Sequence, residues 1–240
     1  MKKTLVDLFE ESVRNYPNNT FLLEKTGKVF EPTTYTQVKE KVYQLGAGLQ
    51  ALGVKKGDNM ALLSEGRNMW VIGELSMFYA GAVNVPLSIK LEESNDLLFR
   101  LIHGDVKFIM VSGTQLKKIR LIKDKLTDVQ KVIVFDEQDH YEDKEISLAE
   151  VQKMGDEYLA NHALEEFLRV PNSIQNDDIA TITYTSGTTA DPKGVVLTHR
   201  NYTSNVEQAL TLVNIDQNWR TLLILPLDHC FAHVVGFYIM

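Results

Sequence analysis

The chain reads as a layered α/β protein with mostly parallel sheets flanked by helices, and three observations carry that expectation. Short apolar runs of strand length recur along its first half: Met60–Leu63, Val83–Val85, Phe108–Val111 and Val132–Phe135. Between them lie stretches of helical character, Met69–Tyr79, Asp96–Ile102 and Gln115–Lys125. The regular alternation is the third observation, because strands separated by helix-length segments cross over and run parallel.

The remaining elements follow in order. Leu5, Leu8, Phe9 and Val13 mark one face of a first helix after Thr4 that ends before Pro17; its apolar stripe suits a core better than a membrane. Val38, Val42, Leu45, Leu49 and Leu52 recur at helical spacing, and Gly53 is placed to cap that second helix. Between Asp136 and Asp178 the chain turns polar and acidic, with a capping-box pattern at Ser147 and Glu150 ahead of a surface helix. We expect this stretch, residues 136–178, to be an excursion within a first α/β subdomain spanning residues 1–178. Ile179–Thr183 and Val195–Thr198 read as strands that open a second subdomain, residues 179–240. No internal repeat or low-complexity tract is evident.

Composition narrows the class. With 240 residues, 44% hydrophobic and 24% charged, the chain can bury a sizeable core, and disorder throughout is excluded. A formal net charge of -7 gives no basic footprint for nucleic acid, and Lys117-Lys118 reads as a solvated helix face. The single cysteine, Cys230, excludes an intrachain disulfide framework and a Cys-rich zinc site, which suits a reducing, cytoplasmic setting. Asp7, Glu10 and Glu11 interrupt any apolar signal core after Met1-Lys2-Lys3. No apolar run approaches the roughly 20 residues that span a bilayer, which leaves only peripheral membrane contact open.

The segment YTSGTTADPKGV, Tyr184 to Val195, is the most informative part of the chain. It sets Thr185, Ser186, Thr188, Thr189 and Lys193 on a connection between two strands. Gly187 can leave backbone N–H groups open to phosphate oxygens, the hydroxyls add donors, and Lys193 adds a mobile point charge. It is not a Walker A loop, since Lys193 precedes Gly194 and six residues separate Gly187 from Gly194. Residue types alone fit an ordinary polar hairpin loop better than a phosphate grip.

Continued through Leu197-Thr198-His199-Arg200-Asn201, this segment closely resembles the signature of the AMP-forming adenylating enzymes. Further similarities run in that family's order: Thr34-Tyr35, Gly53-Val54-Lys55-Lys56-Gly57-Asp58, and Ala80 to Leu87. Ser64-Glu65-Gly66-Arg67-Asn68-Met69-Trp70 resembles a segment of the long-chain fatty-acid branch, Leu225-Pro226-Leu227-Asp228-His229 resembles the family motif in which a histidine borders the acyl and carboxylate site, and the continuation Cys230 to Gly236 resembles that of long-chain fatty-acid-CoA ligases. Two positions depart from the pattern. Ala190 stands where glycine is usual, and Ala232-His233 stands where many long-chain enzymes carry a Glu-Arg pair.

The resemblance implies the N-terminal part of the large domain of an adenylate-forming enzyme, which uses ATP with Mg2+ to convert a long-chain fatty acid to acyl-AMP and then transfers the acyl group to coenzyme A. It implies that Thr185, Ser186, Gly187, Thr188, Thr189 and Lys193 hold the β- and γ-phosphates, with Lys193 the leading candidate. His229 would orient the carboxylate; the other reading is a core histidine satisfied by backbone. His199, read as a helix cap, and His233 receive no catalytic role, and no metal ligand is assigned within the chain.

The chain stops inside the apolar segment Val234–Met240, which predicts a piece of a longer protein that makes no product alone. Adenylation of an aryl or amino acid, or a non-catalytic nucleotide-binding module, are the alternative readings.

Overall fold

The computed structural model describes residues 3–92, 94–185, 192–229 and 232–238. Its first helix, α1 (Leu5–Asn15), begins where Thr4 and Asp7 cap each other reciprocally. A hairpin follows, β1 (Thr20–Thr26) and β2 (Val29–Thr34), paired antiparallel around Gly27 at φ 64°. Periodicity does not announce this hairpin, because its strands are half exposed and Glu24, Glu31 and Pro32 interrupt the apolar alternation. Thr34 then caps α2 (Tyr35–Ala51), and Gly53 leaves it with φ 103°, the left-handed geometry expected of a helix-ending glycine.

The core strands fall on the apolar runs, alternating with helices: β3 (Asn59–Leu63), α3 (Asn68–Tyr79), β4 (Val83–Pro86), α4 (Ser94–His103), β5 (Val106–Val111), α5 (Gly113–Arg120) and β6 (Lys131–Val134). The helix expected over 115–125 ends at Arg120. A separate single turn at Lys123–Lys125 follows, with Ile122 and Leu126 buried on either side of it. The acidic stretch yields β7 (Glu145–Ser147), α6 (Leu148–Asn161) and α7 (Leu164–Ser173), with Ser147 and Glu150 forming the expected capping box. The internal Pro171 of α7 is a helix breaker by type, which hides this helix from a sequence reading. The described chain closes with β8 (Ile179–Thr185), β9 (Lys193–Thr198), α8 (His199–Leu212) and, after an irregular stretch, a wide helical turn at Ala232–Tyr238.

Seven strands form one sheet in the order β7-β6-β5-β3-β4-β8-β9, parallel throughout except for the antiparallel β8–β9 pair. Alternate residues of its central strands enter two different cores. Met60, Leu62, Phe108, Met110 and Ile133 pack with α1, α2, α3 and Phe167 of α7, whereas Ala61, Leu63, Ile109, Val111 and Val134 pack beneath α4 and α5. Burial on both faces explains why these strands read as continuous apolar runs. The acidic excursion is structurally committed: α6 lies against α2, with Val151 fully buried, and Gln44 of α2 donates to the Asp156 carboxylate.

Candidate functional site

β8 lies parallel to β4, with Asn84 and Thr181 as register partners, and runs on past the end of β4 at Pro86 to Thr185. Its carboxyl end therefore projects beyond the parallel sheet, the edge at which open α/β sheets bind ligands. β9 returns antiparallel, so that Thr185 faces Lys193 and Tyr184 faces Gly194. The described ends of the signature segment, Thr185 and Lys193, thus face each other across an antiparallel strand pair at the carboxyl edge of the sheet. Of the candidate phosphate-binding residues, Thr185 and Lys193 are described and are exposed at the mouth of the hairpin. Ser186, Gly187, Thr188 and Thr189, together with Ala190, lie outside the described residues, as does Cys230.

Tyr184 anchors this mouth. Its hydroxyl lies 2.8 Å from His103 Nδ1, and the Arg100 guanidinium sits 5.8 Å from its ring centroid, so the strand is tied to α4. Gly194 makes room for that ring: a Cβ at this position would come 3.5 Å from the Tyr184 ring and 3.1 Å from Ile182. Because neighbours on a strand point to opposite faces, fixing Tyr184 toward α4 fixes Thr185 on the other side.

β9 feeds directly into α8. The cap of that helix is Thr198, which exchanges hydrogen bonds with Asn201; His199 is not the cap but the first helical residue. The His199 ring is buried, and its Nδ1 accepts the Leu5 backbone N–H at 3.2 Å, tying the start of α1 to the start of α8. Burial pushes the imidazole down to about 4. A neutral ring accepting a backbone hydrogen bond in the core is a structural histidine.

His229 occupies a different setting. It is exposed and closes a turn in which its N–H donates to the Pro226 carbonyl at 3.1 Å. Its own carbonyl accepts from the N–H groups of Ala232 (2.9 Å) and His233 (3.2 Å), so it leads into the 232–238 turn. That turn packs on α8 through Tyr202, whose ring centroid lies 5.2 Å from that of Tyr238 and 6.0 Å from that of His233. Both candidate regions are therefore mounted on α8, the hairpin through β9 and the histidine turn through Tyr202.

The core reading of His229 does not apply to an exposed ring; His233 is the core histidine of this segment, fully buried beside Glu74. The Ala232-His233 departure thus falls in the protein interior. Sequence reasoning passed over Glu74, although a lone carboxylate within the apolar run of α3 was a legible signal.

An open cleft of about 800 Å³ runs between the β1–β2 hairpin, α1 and the 215–227 stretch, with Arg67, Phe21, Leu225, Leu227 and Phe237 among its walls. Thr185, Lys193 and His229 do not line it. Among the described residues no three His, Cys, Asp or Glu side chains gather as a metal site, and no helix is long and apolar enough to cross a membrane.

The comparisons with known proteins agree with this architecture. Long chain acyl-CoA synthetase 5 of Arabidopsis thaliana is 30% identical over 247 residues, an alignment covering 95% of this chain and 36% of that protein. The inhibitor-bound crystal structure of the N-terminal domain of FACL13 from Mycobacterium tuberculosis superposes with a TM-score of 0.81 at 26% identity, covering 100% of this chain and 55% of that one. The anthranilate CoA ligase AuaEII, crystallised with anthranoyl-AMP, superposes with a TM-score of 0.82 at 21% identity, covering 99% of this chain and 43% of that chain, which supports the fold alone. The chain spans about a third of the length of the curated relatives it matches. The model of the AMP-binding enzyme family matches residues 9–240, and the chain belongs to that family.

Proposed function

We propose that the protein to which this chain corresponds activates a long-chain fatty acid with ATP and passes the acyl group to coenzyme A. The observation that carries the reading is the signature hairpin at the carboxyl edge of the parallel sheet, with Thr185 opposite Lys193 at its mouth. In the first step a carboxylate oxygen attacks the α-phosphorus of ATP, and pyrophosphate leaves with the electron pair of the broken P–O bond. In the second, the thiol sulfur of coenzyme A attacks the acyl carbonyl, AMP leaves, and the thiol proton passes to solvent. Both steps demand control of charge, since an anion must approach a polyanion.

Lys193 meets that demand as a cation beside the β- and γ-phosphates, supported by the Thr185 hydroxyl and the donors of residues 186–189. An exposed His229 is suited to hydrogen-bond the substrate carboxylate and hold it for in-line attack. Mg2+ would neutralise phosphate charge in such a reaction. The described residues hold no cluster of three or more His, Cys, Asp or Glu side chains that could bind the ion.

Titrating the 240-residue chain with ATP and Mg2+ in a calorimeter, beside its Lys193→Ala variant, tests the phosphate role. The expected result is weaker binding by the variant, by about tenfold or more, as for one lost charge-assisted hydrogen bond. Equal affinities would remove Lys193 from the site. Because the chain spans about a third of its relatives' length, the purified 240 residues are expected to release no acyl-AMP from fatty acid and ATP. Its detection, for instance by mass spectrometry, would refute that expectation.

A further inference from the structure

Glu74 is a carboxylate buried completely within the apolar face of α3, an arrangement that is costly unless donors surround it. They do. Asn84 Nδ2 donates to Oε1 at 2.6 Å, the Tyr238 hydroxyl donates to Oε2 at 3.0 Å, and His233 Nε2 lies 3.2 Å from Oε1. The histidine contact has ion-pair distance without hydrogen-bond alignment, and the ring is held as much by its walls. Trp70 lies 5.1 Å from it, Tyr202 meets it edge-on at 6.0 Å, and Tyr238 stacks on it at 5.8 Å and 9°. Burial, with Glu74 next to it, pushes the Tyr238 phenol well above its ordinary range, so its hydroxyl remains a donor.

These contacts meet where the two candidate regions share a base. Asn84 is the register partner of Thr181, and the Thr181 hydroxyl lies 2.8 Å from that of Tyr202. Thr181 belongs to the strand that runs on to Thr185. His233 and Tyr238 belong to the turn whose first backbone hydrogen bonds are accepted by His229. The stretch before this turn is irregular and leaves Leu222, Ile224 and Leu225 exposed, with Leu227 its buried anchor. Apolar anchors tolerate rotation and sliding, whereas a carboxylate on α3 matched to groups from two other elements, β4 and the 232–238 turn, admits one register.

We propose that Glu74, His233 and Tyr238 are positioning residues for His229, fixing its turn against the strand that leads to the phosphate loop. The proposal rests on the reading that His229 meets the substrate carboxylate, and its test separates the two. Histidine labelled with 15N in the imidazole ring is placed in the 240-residue chain, with His229→Asn used to assign its signals. Tyr238→Phe, which deletes only a hydroxyl, and His233→Leu are expected to shift the His229 ring resonances. His233→Gln, which keeps a donor facing Glu74, is expected to restore them.

The same variants are titrated with a non-hydrolysable acyl-adenylate mimic, an acyl sulfamoyl-adenosine. Tyr238→Phe is expected to weaken binding on the order of fivefold, the size of one lost hydrogen bond. Unmoved His229 signals in folded Tyr238→Phe and His233→Leu chains overturn the positioning role. Failure of the unaltered chain to bind the mimic counts instead against the functional reading in this chain, while the ring signals still decide the positioning role.

Discussion

Replacing Gly155 by alanine is expected to destabilise the chain by about 3 kcal/mol or more, beyond the usual cost of an added methyl in a packed core. A Cβ at Gly155 would run into the carbonyl oxygen of Gln44 on α2, come 2.8 Å from its carbon and 2.9 Å from the Gly48 nitrogen. From the other side, a Cβ at Gly48 would meet the Val151 carbonyl of α6. The obstacles are backbone atoms of the facing helix, so no rotamer change relieves the clash and α2 and α6 must separate. The sign is diagnostic: in a free helix, glycine to alanine is stabilising by about 1 kcal/mol. Urea denaturation of Gly155→Ala, Gly48→Ala and the double variant measures the effect. Once one methyl has forced the helices apart the second adds little, so the double loss should fall short of the sum. A stability gain from Gly155→Ala would mean that the helices do not approach this closely.

That contact marks the limit of what the sequence makes legible. The core strands could be read because each is buried on both faces, and the starts of α1 and α6 could be read because Thr4 and Ser147 are local capping signals. Gly48 and Gly155 carry no such signal. Each resembles an ordinary helical glycine, and its necessity exists only when segments far apart in sequence come together. The candidate site divides in the same way. Residues flanking the signature belong to two strands, which places Thr185 and Lys193 on a hairpin mouth, but only the parallel register of Asn84 with Thr181 locates that mouth at the carboxyl edge of the sheet. His199 and His233, both set aside in the sequence reading, have environments created by distant partners: Leu5 for one and Glu74 for the other.

His199→Asn is expected to flatten the acid limb of stability between about pH 6.5 and pH 4. In the fold, burial lowers the imidazole from 6.5 to about 4, with the nearby carboxylates of Asp178, Asp7 and Glu74 opposing that shift. The unfolded chain consequently binds this proton first as pH falls. Stability from the neutral ring is complete above about pH 6.5, declines as pH drops toward 4, and changes no further once the folded ring also protonates. The shift corresponds to about 3 kcal/mol over that window, and the ring is only 2% exposed, so solvent screening takes little from it. Asparagine offers the Leu5 N–H an acceptor without titrating in this range. The variant should therefore lose less stability than the parent between pH 7 and pH 4.5, by about 2 kcal/mol in urea midpoint analysis. Glu10 and Asp178 do not mimic the effect. Burial raises both carboxyls, but Lys39, Tyr79 and Tyr43 around Glu10, and Lys56 with the Gln175 N–H at Asp178, bring them below their ordinary values, so their contributions are lost at lower pH. Identical pH slopes for parent and variant would mean that His199 is not held neutral and that the hydrogen bond joining α1 to α8 does not depend on its protonation state.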